Sequence, residues 1–141
     1  MRALLLLAAL AACSKSEEFS GGDGTKAALA SPTEGPADDG ARADVIEAWT
    51  KGGLSPSPLT PAQVPVGKDC RTGTVNAVDV LLCVFPSSAE AKAAEDAGLG
   101  WVGDTTGTSQ AYGKVLVAAA DRRKSDPSGR TINQMMKLAP R

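Results

Sequence analysis

The run Val78-Asp79-Val80-Leu81-Leu82-Cys83-Val84-Phe85 constrains this chain most, because it is apolar on both sides of an extended backbone. Val78, Val80, Leu82 and Val84 share one face; Leu81, Cys83 and Phe85 share the other. A strand with two apolar faces has to be covered twice, so it belongs inside a sheet rather than at its edge. Pro86 ends it, since proline cannot donate to a ladder. Just upstream, Cys70-Arg71-Thr72-Gly73-Thr74-Val75 is a second strand-like run, and Asn76-Ala77 separates the two. If Val75 faces Val78 across a two-residue turn, Cys70 falls opposite Cys83. Counting outward from a hydrogen-bonded Val75–Val78 pair, the two cysteines form a non-hydrogen-bonded pair, whose Cα atoms approach to about 4.5 Å. That separation suits a disulfide. The bond would close a loop of about 14 residues and stabilise the fold by roughly 3 kcal/mol on the chain-entropy model. Two reduced cysteines, one of them reactive, are the alternative. A tight type I′ turn prefers Gly where Ala77 stands, and a four-residue loop would keep the same register.

At 141 residues the chain has room for one ordinary domain and not two. Hydrophobic residues make up 43% but aromatics only 4%, so the core is small and aliphatic. Histidine is absent, which removes the commonest general base and the commonest metal ligand. A net charge of −1 argues against a dedicated nucleic-acid binder.

The chain begins Met1-Arg2 and continues with an unbroken apolar run, Ala3 to Ala12. A membrane-spanning helix needs about twenty residues. A shorter run behind a positive residue has the form of the h-region of a secretory signal, about 7–15 residues long. The run ends Leu10-Ala11-Ala12-Cys13, which resembles the lipobox of bacterial lipoproteins: a large aliphatic residue, two small ones, then cysteine. The resemblance implies a signal peptide over 1–12, diacylglycerol in thioether linkage on Cys13, and acylation (palmitate or a similar chain) of the new amino terminus. Three acyl chains would hold the protein far more firmly than a single myristate. Ser14 rather than Asp follows the cysteine; by resemblance to the enterobacterial sorting rule this favours the outer membrane, facing the periplasm. From the lipidated Cys13 to Ala43 the composition is rich in Gly, Pro and acids and carries no apolar periodicity, so residues 13–43 read as a flexible, disordered tether.

Residues 44–141 read as one small α+β domain of nearly balanced charge. Asp44 to Lys51 is a short amphipathic helix, with Asp44 and Glu47 at N-cap and N3 spacing and Gly52-Gly53 as its stop. Leu54 to Gly67 carries Pro56, Pro58, Pro61 and Pro65, so it is extended coil or a sheet edge. Ser87 and Glu90 form a capping box for a helix running to about Ala97, with Gly98 as its stop. Trp101-Val102 reads as a brief strand, and Lys114 to Ala120 as a second core strand. Asp126 caps a last helix with Pro127 at its first position; Ile132, Met135, Met136 and Ala139 line one side of it. The predicted order is about α-β-β-α-β-α, a small sheet built on the disulfide-linked hairpin with helices packed on one face.

Groups for chemistry are scarce. Gly98-Leu99-Gly100-Trp101-Val102-Gly103 matches Gly-x-Gly-x-x-Gly, but a dinucleotide fingerprint follows a strand and opens a helix, and this one follows a helix. Asp38-Asp39 lacks the alternating oxygen ligands of a calcium loop; no metal site and no cofactor are expected. Asp104, Thr105 and Thr106, between Gly103 and Gly107, read as a turn. Ser109, Tyr112 and Lys114 are the groups an atypical enzyme would use, and Trp101 is where a small-ligand pocket would form. Towards the C-terminus, Lys114, Arg122, Arg123, Lys124, Arg130, Lys137 and Arg141 outnumber Asp121 and Asp126. The Arg122-Arg123-Lys124 run suits contact with an anionic partner, either lipid or an envelope protein; a solvated rim is the alternative. The segments Val66 to Gly73, Val78 to Cys83 and Asp121 to Asn133 resemble small uncharacterised lipoproteins of myxobacteria, which implies a fold and no mechanism. The expectation is a non-enzymatic, lipid-anchored envelope protein, an interaction or structural module. A periplasmic small-ligand-binding domain and, behind it, an atypical enzyme remain as alternatives.

Overall fold

The structure is a computed structural model that describes residues 34–141, with side chains from Asp39 onward. The signal peptide, Cys13 and the expected tether as far as residue 33 lie outside the described residues. The elements in chain order are α1 (Glu34–Lys51), β1 (Thr60–Val64), β2 (Gly67–Val75), β3 (Val78–Val84), α2 (Ser88–Ala93), α3 (Glu95–Val102), β4 (Gly107–Tyr112), β5 (Val115–Ala120) and α4 (Arg130–Leu138). The five strands form one sheet in the order β1-β2-β3-β5-β4, and every neighbouring pair is antiparallel.

The hairpin has the register its sequence requires: Val75 pairs with Val78, and Cys70 with Cys83. Cys70 and Cys83 are joined by a disulfide, with Cα atoms 4.0 Å apart. Asn76 and Ala77 both adopt positive φ, 48° and 72°, as a two-residue type I′ turn demands. β3 occupies the centre of the sheet, where its two apolar faces belong. The proline-rich segment supplies the outer strand β1, with Pro61 in it and a register shift between Ala62 and Val64; both features suit an edge.

Helices cover both faces of the sheet, not one. Val78, Val80, Leu82 and Val84 of β3, with Val115, Val117 and Ala119 of β5, pack against Val45 and Trp49 of α1 and Ile132 and Met135 of α4. On the opposite face Leu81, Cys83, Leu116, Ala118 and Ala120 pack with Cys70, Val66 and Val102, and Trp101 lies against this second cluster. The physical reason is already in β3 and β5: Leu81, Cys83, Leu116 and Ala118 are as apolar as the other face and need their own cover. Two cores therefore sandwich one sheet.

Several further expectations are corrected. Helix α1 begins at Glu34 instead of Asp44, so residues 34–43 of the expected tether are helical. Pro36 falls in its first turn, where the missing N–H costs no intrahelical bond, and Arg42 gives the extension a reason to be ordered. Its guanidinium is buried, donates to the Asp69 carbonyl at 2.8 Å and to Asp39 Oδ1 at 2.9 Å, and is ion-paired with Asp69. Gly98 does not stop a helix, and Trp101-Val102 is not a strand: both lie inside α3, which ends at Gly103 with φ 71°. A Cβ on Gly98 would come within 2.0 Å of Ser109 Oγ, so this glycine lets α3 lie close on β4. The last helix starts at Arg130, behind Gly129, rather than at Pro127. Asp126 still serves its amino end, accepting the Ile132 N–H at 3.0 Å. The strand absent from the expectation, β4 (Gly-Thr-Ser-Gln-Ala-Tyr), runs in the same direction as β3 with β5 inserted between them, so α2 and α3 form a split crossover.

Candidate functional site

The basic run after β5 is built on two carboxylates. Asp121 Oδ1 accepts the Ser125 N–H at 2.7 Å and the Ser125 hydroxyl at 3.0 Å, and its Oδ2 accepts the Asp126 N–H at 2.8 Å. Burial pushes the Asp121 carboxyl up, but the bonds from Asp126 and Ser125 together hold it below its ordinary value. Asp126 passes the relay on to α4 through the Ile132 N–H. The loop is therefore fixed by its acids, and its bases are displayed around it.

Those bases have different fates. The Arg122 guanidinium stacks over the Trp101 ring, 4.3 Å from its centroid, donates to the Trp101 carbonyl and lies 3.5 Å from Asp79 Oδ2. Arg123 donates to Asp79 Oδ1 at 2.6 Å and to the Ala77 carbonyl at 3.1 Å. Two of the three bases thus share one carboxylate and brace the β2–β3 turn. Lys124 is exposed, with φ 56°. With Arg122 on the ring, Trp101 is a stacking platform for the protein's own side chain, and it does not line the cleft described below.

Ser109, Tyr112 and Lys114 are not brought together. Ser109 and Tyr112 point to opposite faces of β4, and Lys114 is exposed in the β4–β5 turn. Ser109 Oγ is buried without a partner beneath α3. The Tyr112 hydroxyl donates to the Met136 carbonyl at 2.7 Å, with Gln110 Oε1 3.2 Å away. Burial raises the Tyr112 pKa above its ordinary value, and the cation of Arg141, 5.4 Å from the ring centroid, opposes that rise. Among the described residues no three His, Cys, Asp or Glu side chains form a group able to hold a metal ion.

The candidate site is a cleft of about 800 Å³ between α4 and the β4 edge. Gln110 and Tyr112 come from β4, Ser128 from the loop before α4, Arg130, Asn133, Gln134, Met136 and Lys137 from α4, and Arg141 from the residues after it. Three cationic side chains line it and no carboxylate side chain does. Among the described residues none of Arg130, Lys137 and Arg141 is ion-paired, whereas Arg42, Arg71, Arg122 and Arg123 all are. The arrangement follows from helix geometry. Arg130, Asn133, Gln134 and Lys137 stand at i, i+3, i+4 and i+7, and burying Ile132, Met135 and Ala139 turns that polar stripe outward. The tyrosine bond to Met136 ties the strand to the helix, so the two walls are held together. Sequence reasoning followed the apolar stripe of α4 and the adjacent Arg122-Arg123-Lys124. The polar stripe was the available signal, but a stripe that faces solvent reads as ordinary surface until β4 is placed beside it.

Comparison with protein-family models, with curated proteins and with solved structures found no match.

Proposed function

We propose that the chain is a lipid-anchored protein of the bacterial cell envelope, placed at the outer membrane and facing the periplasm, whose folded part is a non-catalytic interaction module. The observation that carries this reading is the Cys70–Cys83 disulfide, sealed between β2 and β3 in the second core. Structural disulfides form and persist in oxidising compartments, and a bacterial chain reaches one by export. Residues 1–12 supply the export signal, Leu10-Ala11-Ala12-Cys13 supplies the acylation site, and Ser14 favours the outer membrane. Lys124 and the α4–β4 cleft offer positive charge to an anionic partner, a lipid or another envelope protein. A small-ligand role for the same anchored domain draws support from the size of that cleft.

The test is processing in a Gram-negative host. The chain should partition into detergent with the mass of a triacylated protein cleaved before Cys13, and fractionate with the outer membrane. Cys13→Ala should abolish acylation and processing. Cys70 and Cys83 should resist alkylation until reduced. A native protein that lacks the acyl mass, or that labels freely at either cysteine, overturns the reading.

A further inference from the structure

We infer that the α4–β4 cleft is a binding site for a phosphomonoester or pyrophosphate group carried on a hydroxyl-rich body. This rests on the reading of the chain as an interaction module, but not on its lipid anchor. Three features of the cleft point to it.

The first is uncompensated charge. Arg130, Lys137 and Arg141, all exposed, line one open cleft with no acidic side chain among its lining residues. Like charges gathered this way raise the energy of the unliganded domain, and an anion relieves it. A single carboxylate brings one negative charge for three cations. A phosphomonoester carries about −1.5 to −2 at neutral pH, and pyrophosphate more. Guanidinium groups also match phosphate oxygens two at a time, where an ammonium acts as a point charge. Two arginines and one lysine provide both.

The second is the company the cations keep. Gln110 and Asn133 contribute side-chain amides and Ser128 a hydroxyl. These neutral groups donate and accept, as recognition of ligand hydroxyls requires. The cleft, at about 800 Å³, is far larger than a phosphate ion and lies within the range typical of sites for whole small molecules or headgroups. A phosphorylated sugar or polyol fits both the volume and the donor set. It has two possible sources, a lipid headgroup and a soluble phosphorylated metabolite.

The third is contrast within the molecule. The other basic cluster, Arg122 and Arg123, shares the carboxylate of Asp79, and Arg122 also stacks on the Trp101 ring. A protein that needed positive charge only for solubility would have no reason to pair one cluster and leave the other open in a cavity whose walls are tied by the Tyr112–Met136 bond.

The experiment uses the full chain in neutral maltoside micelles, read by thermal unfolding and by the side-chain amide resonances of Gln110 and Asn133. Three probes are compared: inorganic pyrophosphate, phosphatidic acid mixed into the micelles, and phosphatidylcholine mixed in the same way. Pyrophosphate, phosphatidic acid or both should raise the unfolding midpoint and shift both amide resonances, while phosphatidylcholine does neither. A response to phosphatidic acid alone assigns the headgroup source, and one to pyrophosphate alone assigns the soluble source. Arg130→Gln with Lys137→Gln should weaken binding by about tenfold or more, and Arg122→Gln with Arg123→Gln should change it little. If the cleft double variant fails to fold, Asn133→Asp replaces it; the added carboxylate in the cleft should weaken binding likewise. No response to either phosphate probe, or an equal loss from the Arg122/Arg123 variant, overturns the inference. Because acylation is read separately by mass, such a failure leaves the anchored-module reading standing.

Discussion

Ala77 holds a backbone conformation that its own side chain resists. At φ 72° its Cβ crowds the neighbouring carbonyl, a conformation that costs an ordinary L-residue roughly 1–2 kcal/mol. Asn76, at φ 48°, tolerates the same region better, and its Oδ1 also accepts the Ser55 N–H at 3.0 Å. Glycine at 77 removes the strain but loosens the unfolded chain, so Ala77→Gly should stabilise by about 1 kcal/mol net. The midpoint of thermal unfolding should rise by about 4 °C or more; an unchanged midpoint would show that the turn is not strained. This turn was legible in the sequence, because the facing valines and cysteines fix the register whatever residue occupies the corner. Arg42 was not legible. By composition it belongs with the acids and glycines around it, yet in the fold it is only 3% exposed and is met by Asp69, a residue brought to it by the sheet. No local pattern announces a partner that distant.

At the level of elements, the strands with two apolar faces could be read directly and the strand with none could not. β3 and β5 declare themselves through unbroken aliphatic runs. β4 has only Tyr112 buried and is held by its neighbours: Gly107 lies so close to Ala119 that a Cβ would clash with its carbonyl. A similar close approach explains Gly98. A glycine late in a helix ordinarily marks the C-terminal cap; here it is the contact surface of α3 on β4. Gly98→Ala should therefore destabilise, although alanine is the better helix former. The added methyl falls on Ser109 Oγ and has to displace the helix, at a cost of about 1–3 kcal/mol. Chemical denaturation of the variant checks this, and a more stable Gly98→Ala protein would mean that α3 is free to move. The exposed edge of β4 is managed as well. The Glu95 carboxylate accepts the Ala111 N–H at 2.8 Å, and this bond, with Lys92 beside it, holds the Glu95 carboxyl below its ordinary value. A backbone donor on an outer strand is thereby kept from pairing with another chain.

Across the whole molecule, the joint between β5 and α4 depends on two carboxylates that accept backbone N–H groups. Asp121 accepts from Ser125 and Asp126, Asp126 accepts from Ile132, and the start of the helix is set by that relay. Because the folded pKa of Asp121 is depressed, its contribution to stability is complete above the ordinary aspartate value of 3.8 and is lost as pH falls through the lower folded value. Stability should therefore fall on acidification below about pH 4. Asp121→Asn, less stable at neutral pH, should show a shallower fall over the same range; parallel acid limbs for the two proteins would count against the relay. The one-sided helix packing expected from the sequence failed at this scale for a simple reason. Periodicity reveals which residues want cover, not which helix supplies it, and two alanine-rich turns around Gly98 look too thin to cover a sheet until the glycine is seen to bring them close. The sheet order carries a last consequence, in time rather than in space. β5 is the last strand to be synthesised, yet it lies between β3 and β4 and contributes to both cores. A chain emerging from its amino end has a bonded hairpin early but an empty slot beside it, and neither core can close until residue 120 has followed. Folding is in this way deferred to the end of delivery, and a chain cut short before β5 gains little from the structure it already holds.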